Sequence, residues 1–205
     1  MFVVLPRSAR RMALAIAVLA LVSVCAQFTH LHPCDGLHWS VTAWDMARYF
    51  TILTSLLVVI TFGAMARPVR GDLAAPWLAA LSLAAIMAGL IYYLVLSHLV
   101  SFTGLGWWAD LGLHGVTPAL WVLWWLIHAP KQRLDYGDLP IFVMWPAIYG
   151  AYALARGALD GVYPYPFIDL SVMAPIAVVT NLVGLLVLFL LGGVIMILIG
   201  RFADR

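Results

Sequence analysis

The sequence predicts an all-α polytopic membrane protein, a bundle of six transmembrane helices in a single domain over residues 1–205, with both termini cytoplasmic. Of the 205 residues, 65% are hydrophobic and 10% are charged. A soluble domain carries about 25% charged residues, so this composition indicates a membrane protein. Six apolar stretches are each long enough to cross a bilayer, and only short loops separate them.

Windows of about 19 residues place the spans at roughly 12–30, 47–66, 76–100, 110–129, 139–157 and 173–200. Pro76 and Pro140 lie near the starts of the third and fifth spans, where a helix has no amide hydrogen bond to lose. The sixth span contains Gly184, Gly192, Gly193 and Gly200. These glycines allow close helix packing, within the chain or between chains.

The basic residues predict the orientation. If the N-terminus is cytoplasmic, nine of the 11 lysines and arginines fall on the cytoplasmic side, and only Arg48 and Arg156 fall on the other. This distribution obeys the positive-inside rule. The positive-inside distribution accounts for almost every lysine and arginine. The net charge of +2 therefore does not indicate a nucleic-acid partner. Segments 31–46, 101–109 and 158–172 would then be extracytoplasmic.

Two polar residues occupy matching positions in parallel spans. Thr51 lies about one turn inside the start of the second span, and His114 lies about one turn inside the start of the fourth. Both spans run in the same direction, so the two side chains should lie at the same depth near the extracytoplasmic face. A hydroxyl and an imidazole at one level can act as a nucleophile and its general base. Alternatively, the Thr51 hydroxyl bonds a carbonyl of its own helix.

Neighbouring residues extend this pattern. Asp110 precedes His114 by four residues, so it either orients the imidazole or caps the start of the helix. Thr54 and Ser55 share a helix face with Thr51 and are candidate oxyanion donors. Pro118 removes the amide that would bond the carbonyl of His114, so the helix should be locally opened there.

A second group of polar residues allows a different function. His30, His32, Cys34 and His38 lie close together in the first outer loop, and their donor types suit zinc or copper. Their spacing matches no established ligand pattern, and an ordinary loop is the simpler interpretation. His98, near the outer end of the third span, could join His114 in a haem or metal site.

Three short segments resemble the androgen-induced and androgen-dependent membrane protein family, whose animal members are threonine hydrolases of fatty acid esters of hydroxy fatty acids. They are Tyr49-Phe50-Thr51, His114 with Pro118, and Tyr165-Pro166-Phe167-Ile168-Asp169. The resemblance implies that Thr51 is the catalytic threonine and His114 the catalytic histidine. Asp110 stands where animal members have an asparagine, and Leu111 stands where they often have a second histidine.

We therefore expect an integral membrane lipid-ester hydrolase that needs no metal or cofactor. A location in a bacterial inner membrane, with the site toward the extracytoplasmic side, is expected from the bacterial members of the family and the charge distribution. Tyr165, Asp169 and His98 are further candidates for contacting a lipid-ester substrate or its oxyanion. The alternatives are a haem- or metal-binding redox protein and a non-catalytic lipid-binding or transport protein.

Overall fold

The computed structural model describes residues 5–32, 38–67 and 75–202, apart from the side chain of Gln132. All regular secondary structure within these ranges is helical, which confirms the all-α prediction. The α-helices are α1 (Arg7–Leu31), α2 (Trp39–Met46), α3 (Phe50–Met65), α4 (Ala75–Ile91), α5 (Leu105–Leu111), α6 (Thr117–His128), α7 (Leu139–Asp160) and α8 (Pro175–Phe202). Two π-helical segments, Tyr92–Leu96 and Gly112–Val116, continue α4 and connect α5 to α6.

Four described helical segments are long and apolar enough to cross a membrane: Arg7–Leu31, Ala75–Leu99, Tyr136–Asp160 and Pro175–Phe202. A fifth qualifies if α2 and α3, which meet at an angle of 97°, form one broken span. The fourth predicted span is continuously helical from Leu105 to His128 but is not among them.

The sequence analysis missed α2, which lies within the predicted first outer loop. Its first turn is capped by His38, whose side chain accepts a hydrogen bond from the Ser40 backbone N–H. Thr42 and Met46 are its buried residues, whereas Trp39 and Trp44 are exposed. An eight-residue helix is too short to stand out in a hydropathy window of about 19 residues.

The fourth predicted span starts at Leu105 rather than at 110. Gly104 precedes it with φ of 56° and ψ of −128°, a backbone conformation that essentially only glycine adopts. Asp110 is consequently an interior residue of α5, and its proposed role as the N-cap of this span is wrong.

The chain divides into two compact units. The first comprises the described parts of Met1–Ala74 together with Ala85–Pro130, and the second comprises Ala75–Ala84 with the described part of Lys131–Arg205. Thr51, Asp110 and His114 all belong to the first unit.

In the first unit, α1 packs against α3, α5 and α6. Two buried tryptophans of α6, Trp121 and Trp124, belong to the core of this unit, where both lie edge-on to Phe62. Trp124 Nε1 also donates a hydrogen bond to the Ala9 carbonyl over 2.9 Å. Gly112 lies against Ser23 of α1, so closely that a Cβ atom there would clash with the serine side chain. This packing fixes the helix that carries His114.

In the second unit, α8 packs against α7 and against the segment Lys131–Arg133, with one glycine of α8 at each contact. A Cβ atom at Gly193 would lie 2.9 Å from the Phe142 ring, and one at Gly200 would lie 2.5 Å from the Lys131 carbonyl oxygen. A Cβ atom at Gly184 would meet nothing within 4 Å. Gly193 and Gly200 therefore support packing within the chain.

Candidate active site

Thr51 and His114 are in hydrogen-bonding contact. The Nε2 atom of His114 lies 3.2 Å from Oγ1 of Thr51, although 63 residues separate them in sequence. Thr51 is the second residue of α3, and His114 is the central residue of the π-helical segment Gly112–Val116. The two side chains that the sequence predicted to lie near one another are thus in direct contact.

Asp110 bonds the other nitrogen of the same imidazole. Its Oδ1 atom lies 2.9 Å from Nδ1 of His114, and each of the two side chains retains 15% of its accessible surface. A carboxylate accepts this bond only when Nδ1 carries the hydrogen, so in the neutral ring Nε2 is left with a lone pair facing Thr51. The arrangement is a carboxylate, an imidazole and a hydroxyl linked in series.

Tyr92 completes this hydrogen-bonded chain, and the sequence analysis did not find it. Its hydroxyl donates to Oδ2 of Asp110 over 2.8 Å. Its ring also stacks on the imidazole of His114, with 3.7 Å between ring centroids and 11° between planes. A tyrosine near a membrane interface is common enough that nothing in the sequence singled it out.

Two features of the backbone shape the site. His114 and Tyr92 both lie in π-helical segments, which are the only two in the described ranges. In the segment Gly112–Val116, the Thr117 N–H donates to the Gly112 carbonyl five residues earlier. The next residue, Pro118, has no N–H to bond the His114 carbonyl. Single π-helical turns occur frequently at functional sites.

The Thr51 hydroxyl differs from other hydroxyls on the helices. Those of Ser23, Ser82 and Thr180 each bond the carbonyl four residues earlier in their own helix. Thr51 is 8% exposed, and among the described residues its hydroxyl bonds only His114. The alternative of a bond to its own helix is therefore not observed.

Thr54 and Ser55 follow Thr51 on α3 and are both buried, with 3% and 5% of their surfaces exposed. They lie about one turn beyond Thr51 on the same helix. The Ser55 hydroxyl makes no hydrogen bond with any residue in the ranges that the structure describes, which leaves it able to donate to a substrate oxygen.

Tyr165 and Asp169 belong to the second unit. Tyr165 stacks on Phe167 with 5.2 Å between ring centroids, and Oδ1 of Asp169 accepts hydrogen bonds from the backbone N–H and the hydroxyl of Ser171. Asn181 of α8 donates to the Phe167 carbonyl over 2.8 Å. Within this unit, these contacts hold the segment ahead of α8 in a defined turn.

The histidines assigned to the predicted first outer loop have other partners, and His30 lies within α1. The His30 ring packs on Gly106, His32 Nδ1 lies 2.8 Å from the Thr42 hydroxyl, and His38 caps α2. Cys34 lies outside the described residues. Across the parts of the chain that are described, no three histidine, cysteine or acidic side chains group as metal ligands would. His98 is exposed and forms no hydrogen bond with Thr51, Asp110 or His114.

Comparison with known proteins adds no relative. A scan of family models, a search of curated proteins and a search of solved structures each give no match to this chain.

Proposed function

We propose that this protein is an integral membrane lipid-ester hydrolase in which Thr51 is the nucleophile, His114 the general base and Asp110 the residue that orients the base. The observation that carries the proposal is the series of contacts from Asp110 through both nitrogens of His114 to the Thr51 hydroxyl. This is the arrangement by which serine, threonine and cysteine hydrolases activate a weak nucleophile.

In the first half of the reaction, Thr51 Oγ1 attacks the ester carbonyl while His114 Nε2 takes the hydroxyl proton. The tetrahedral intermediate then collapses, the bond to the alcohol oxygen breaks, and His114 returns the proton to the departing alcohol. The acyl group stays on Thr51 as an ester. Asp110 stabilises the imidazolium that exists between the two proton transfers.

The start of α3 supplies donors for the negative oxygen of the intermediate. The amides of Thr51 and Ile52 are in the first turn, where backbone N–H groups have no partner within the helix, and no side chain caps this end. Their dipoles favour negative charge at the position where the carbonyl oxygen would sit. The hydroxyls of Thr54 and Ser55 are further candidates.

In the second half, a water molecule replaces the alcohol. His114 takes a proton from the water, the resulting hydroxide attacks the acyl carbonyl, and Thr51 leaves with the proton from His114. The fatty acid is released and the starting state is restored. The contacts of Asp110 and Tyr92 around His114 serve both halves, because the histidine alternates between base and acid.

The location of the site favours a lipid substrate. Asp110, His114 and Thr51 lie near the starts of apolar helices, so an ester linkage at the level of the lipid headgroups could reach them sideways from the bilayer. The excess of basic residues on the opposite side supports an extracytoplasmic site, in a bacterial inner membrane if the family resemblance holds. The fatty acid esters of hydroxy fatty acids fit this chemistry.

The test is covalent labelling of the detergent-purified protein with a fluorophosphonate, followed by intact mass and peptide mapping. We expect one adduct, on Thr51, in the parent protein and in Thr180→Ala, a threonine whose hydroxyl bonds its own helix. We expect no adduct in Thr51→Ala or His114→Ala. Release of p-nitrophenol from p-nitrophenyl octanoate should follow the same pattern. Equal labelling of the folded Thr51→Ala protein would overturn the proposal.

A further inference from the structure

We propose that Tyr92 is a positioning residue of this site, which holds Asp110 in place with its hydroxyl and supports the charged state of His114 with its ring. The inference rests on the proposed function and extends it to a residue that does not touch the nucleophile. Tyr92 is the residue with two separate contacts to the histidine–aspartate pair.

The hydroxyl acts on the carboxylate. One oxygen of Asp110 bonds Nδ1 of His114 at 2.9 Å, and the other accepts from Tyr92 at 2.8 Å. With both oxygens engaged from different directions, rotation of the carboxylate would break one of the two bonds. A hydrogen bond to a charged acceptor is about twice as strong as a neutral one. The plane of the carboxylate, and with it the orientation of the imidazole, is thereby held.

The ring acts on the imidazole. The centroid of the Tyr92 ring lies 3.7 Å from that of the imidazole, and the two ring planes are inclined by only 11°. The tyrosine ring therefore covers one face of the imidazole. Both nitrogens point outward in the plane of the imidazole and remain available to Asp110 and Thr51. An aromatic face attracts a cation more than a neutral group, so the stacking favours the imidazolium that forms when Thr51 loses its proton. Stabilisation of this kind increases along the reaction and accelerates it.

The adjacent residue, Tyr93, provides a matched control. Tyr92 is 8% exposed, whereas Tyr93 is 51% exposed and its hydroxyl faces Gly115. The two tyrosines share the same π-helical segment and the same chemistry. Of these two tyrosine hydroxyls, only that of Tyr92 bonds Asp110.

Three variants separate the two contacts. Tyr92→Phe keeps the ring and removes the hydroxyl, Tyr92→Leu removes both, and Tyr93→Phe removes the hydroxyl of the neighbour. Fluorophosphonate labelling of each is measured over a range of reagent concentrations, which separates reagent affinity from the first-order rate of reaction. We expect a loss of about two- to tenfold in that rate for Tyr92→Phe and of roughly 10²-fold for Tyr92→Leu. Affinity should be unchanged, and Tyr93→Phe should match the parent.

A second measurement does not depend on activity. In NMR spectra of histidine-labelled protein, the His114 resonance is identified by its absence from His114→Ala. Ring stacking shifts its ring protons upfield in the parent, in Tyr92→Phe and in Tyr93→Phe, and we expect this shift to be lost in Tyr92→Leu.

The outcomes distinguish this inference from the proposed function. If the parent protein forms no adduct on Thr51, the hydrolase proposal fails, and the NMR shift alone decides whether Tyr92 stacks on His114. If the parent is labelled and both Tyr92 variants react at the parent rate, the positioning role is overturned. An unchanged His114 resonance in Tyr92→Leu overturns the stacking contact. If Tyr92→Leu does not fold, the rate of Tyr92→Phe decides the role of the hydroxyl.

Discussion

Gly89 lies directly against the backbone carbonyl of His114, so closely that a Cβ atom at Gly89 would be 2.8 Å from the carbonyl oxygen. Because Gly89 has no side chain, the segment that carries His114 can approach α4 this closely. We expect Gly89→Ala to displace this segment by a few tenths of an ångström or more and to lower the rate of ester hydrolysis by roughly tenfold, because reactive groups must be held within narrow limits.

The matched control for this change is Gly63→Ala, because a Cβ atom at that position on α3 meets nothing within 4 Å. It should retain the parent rate. Initial rates with p-nitrophenyl octanoate provide the measurement, and a Gly89→Ala protein as active as Gly63→Ala would contradict the expected displacement.

Pro118 should matter to activity more than to stability. Replacing it with alanine restores an amide that can bond the His114 carbonyl, which favours an α-helical turn in place of the π-helical one and turns the imidazole away from Thr51. We expect Pro118→Ala to lose at least about tenfold in labelling rate without a lower thermal unfolding temperature. Pro146→Ala, which replaces a proline inside α7, should leave labelling unchanged. Equal labelling of the two variants would count against a role for the π-helical turn.

Asp110→Asn tests the orientation of the base. An asparagine can rotate its amide to donate a hydrogen bond to Nδ1 of His114, which stabilises the tautomer with the hydrogen on Nε2 and leaves no lone pair facing Thr51. We expect hydrolysis to fall by roughly 10²-fold or more, at least as far as in Asp110→Ala. Rates measured at one pH for the two folded variants check this, and near-parent activity of Asp110→Asn would exclude the carboxylate from the mechanism.

Gly200 tests the packing of α8 in the second unit. A Cβ atom there would lie 2.5 Å from the Lys131 carbonyl oxygen and 3.2 Å from the carbonyl carbon, and backbone atoms cannot move aside as a side chain can. We expect Gly200→Ala to lower the free energy of unfolding by about 1–3 kcal/mol. Gly184→Ala, in open space on the same helix, should be neutral or slightly stabilising, since alanine favours a helix over glycine. Thermal unfolding in detergent compares them, and equal midpoints would contradict the packing.

The all-helical fold could be predicted from the sequence, because long apolar stretches that cross a bilayer have few alternatives to the α-helix. The predicted start at 139 coincides with that of α7, because Pro140 fits the first turn of a helix. The helical segment that carries His114 begins at Leu105, five residues before the predicted start at 110. Residues 105–109, which include Trp107 and Trp108, had been assigned to the preceding loop.

For the candidate site, the sequence predicted a threonine and a histidine at equal depth in two parallel spans, with an aspartate four residues before the histidine. Helical periodicity and chain direction suffice for that. Three contacts became visible only in the folded protein: the Thr51 hydroxyl faces His114, Tyr92 covers the imidazole, and Gly89 lies against the His114 backbone carbonyl. These contacts depend on the rotation of each helix about its own axis, which is set by packing between residues far apart in the chain and leaves no periodic signal in the sequence.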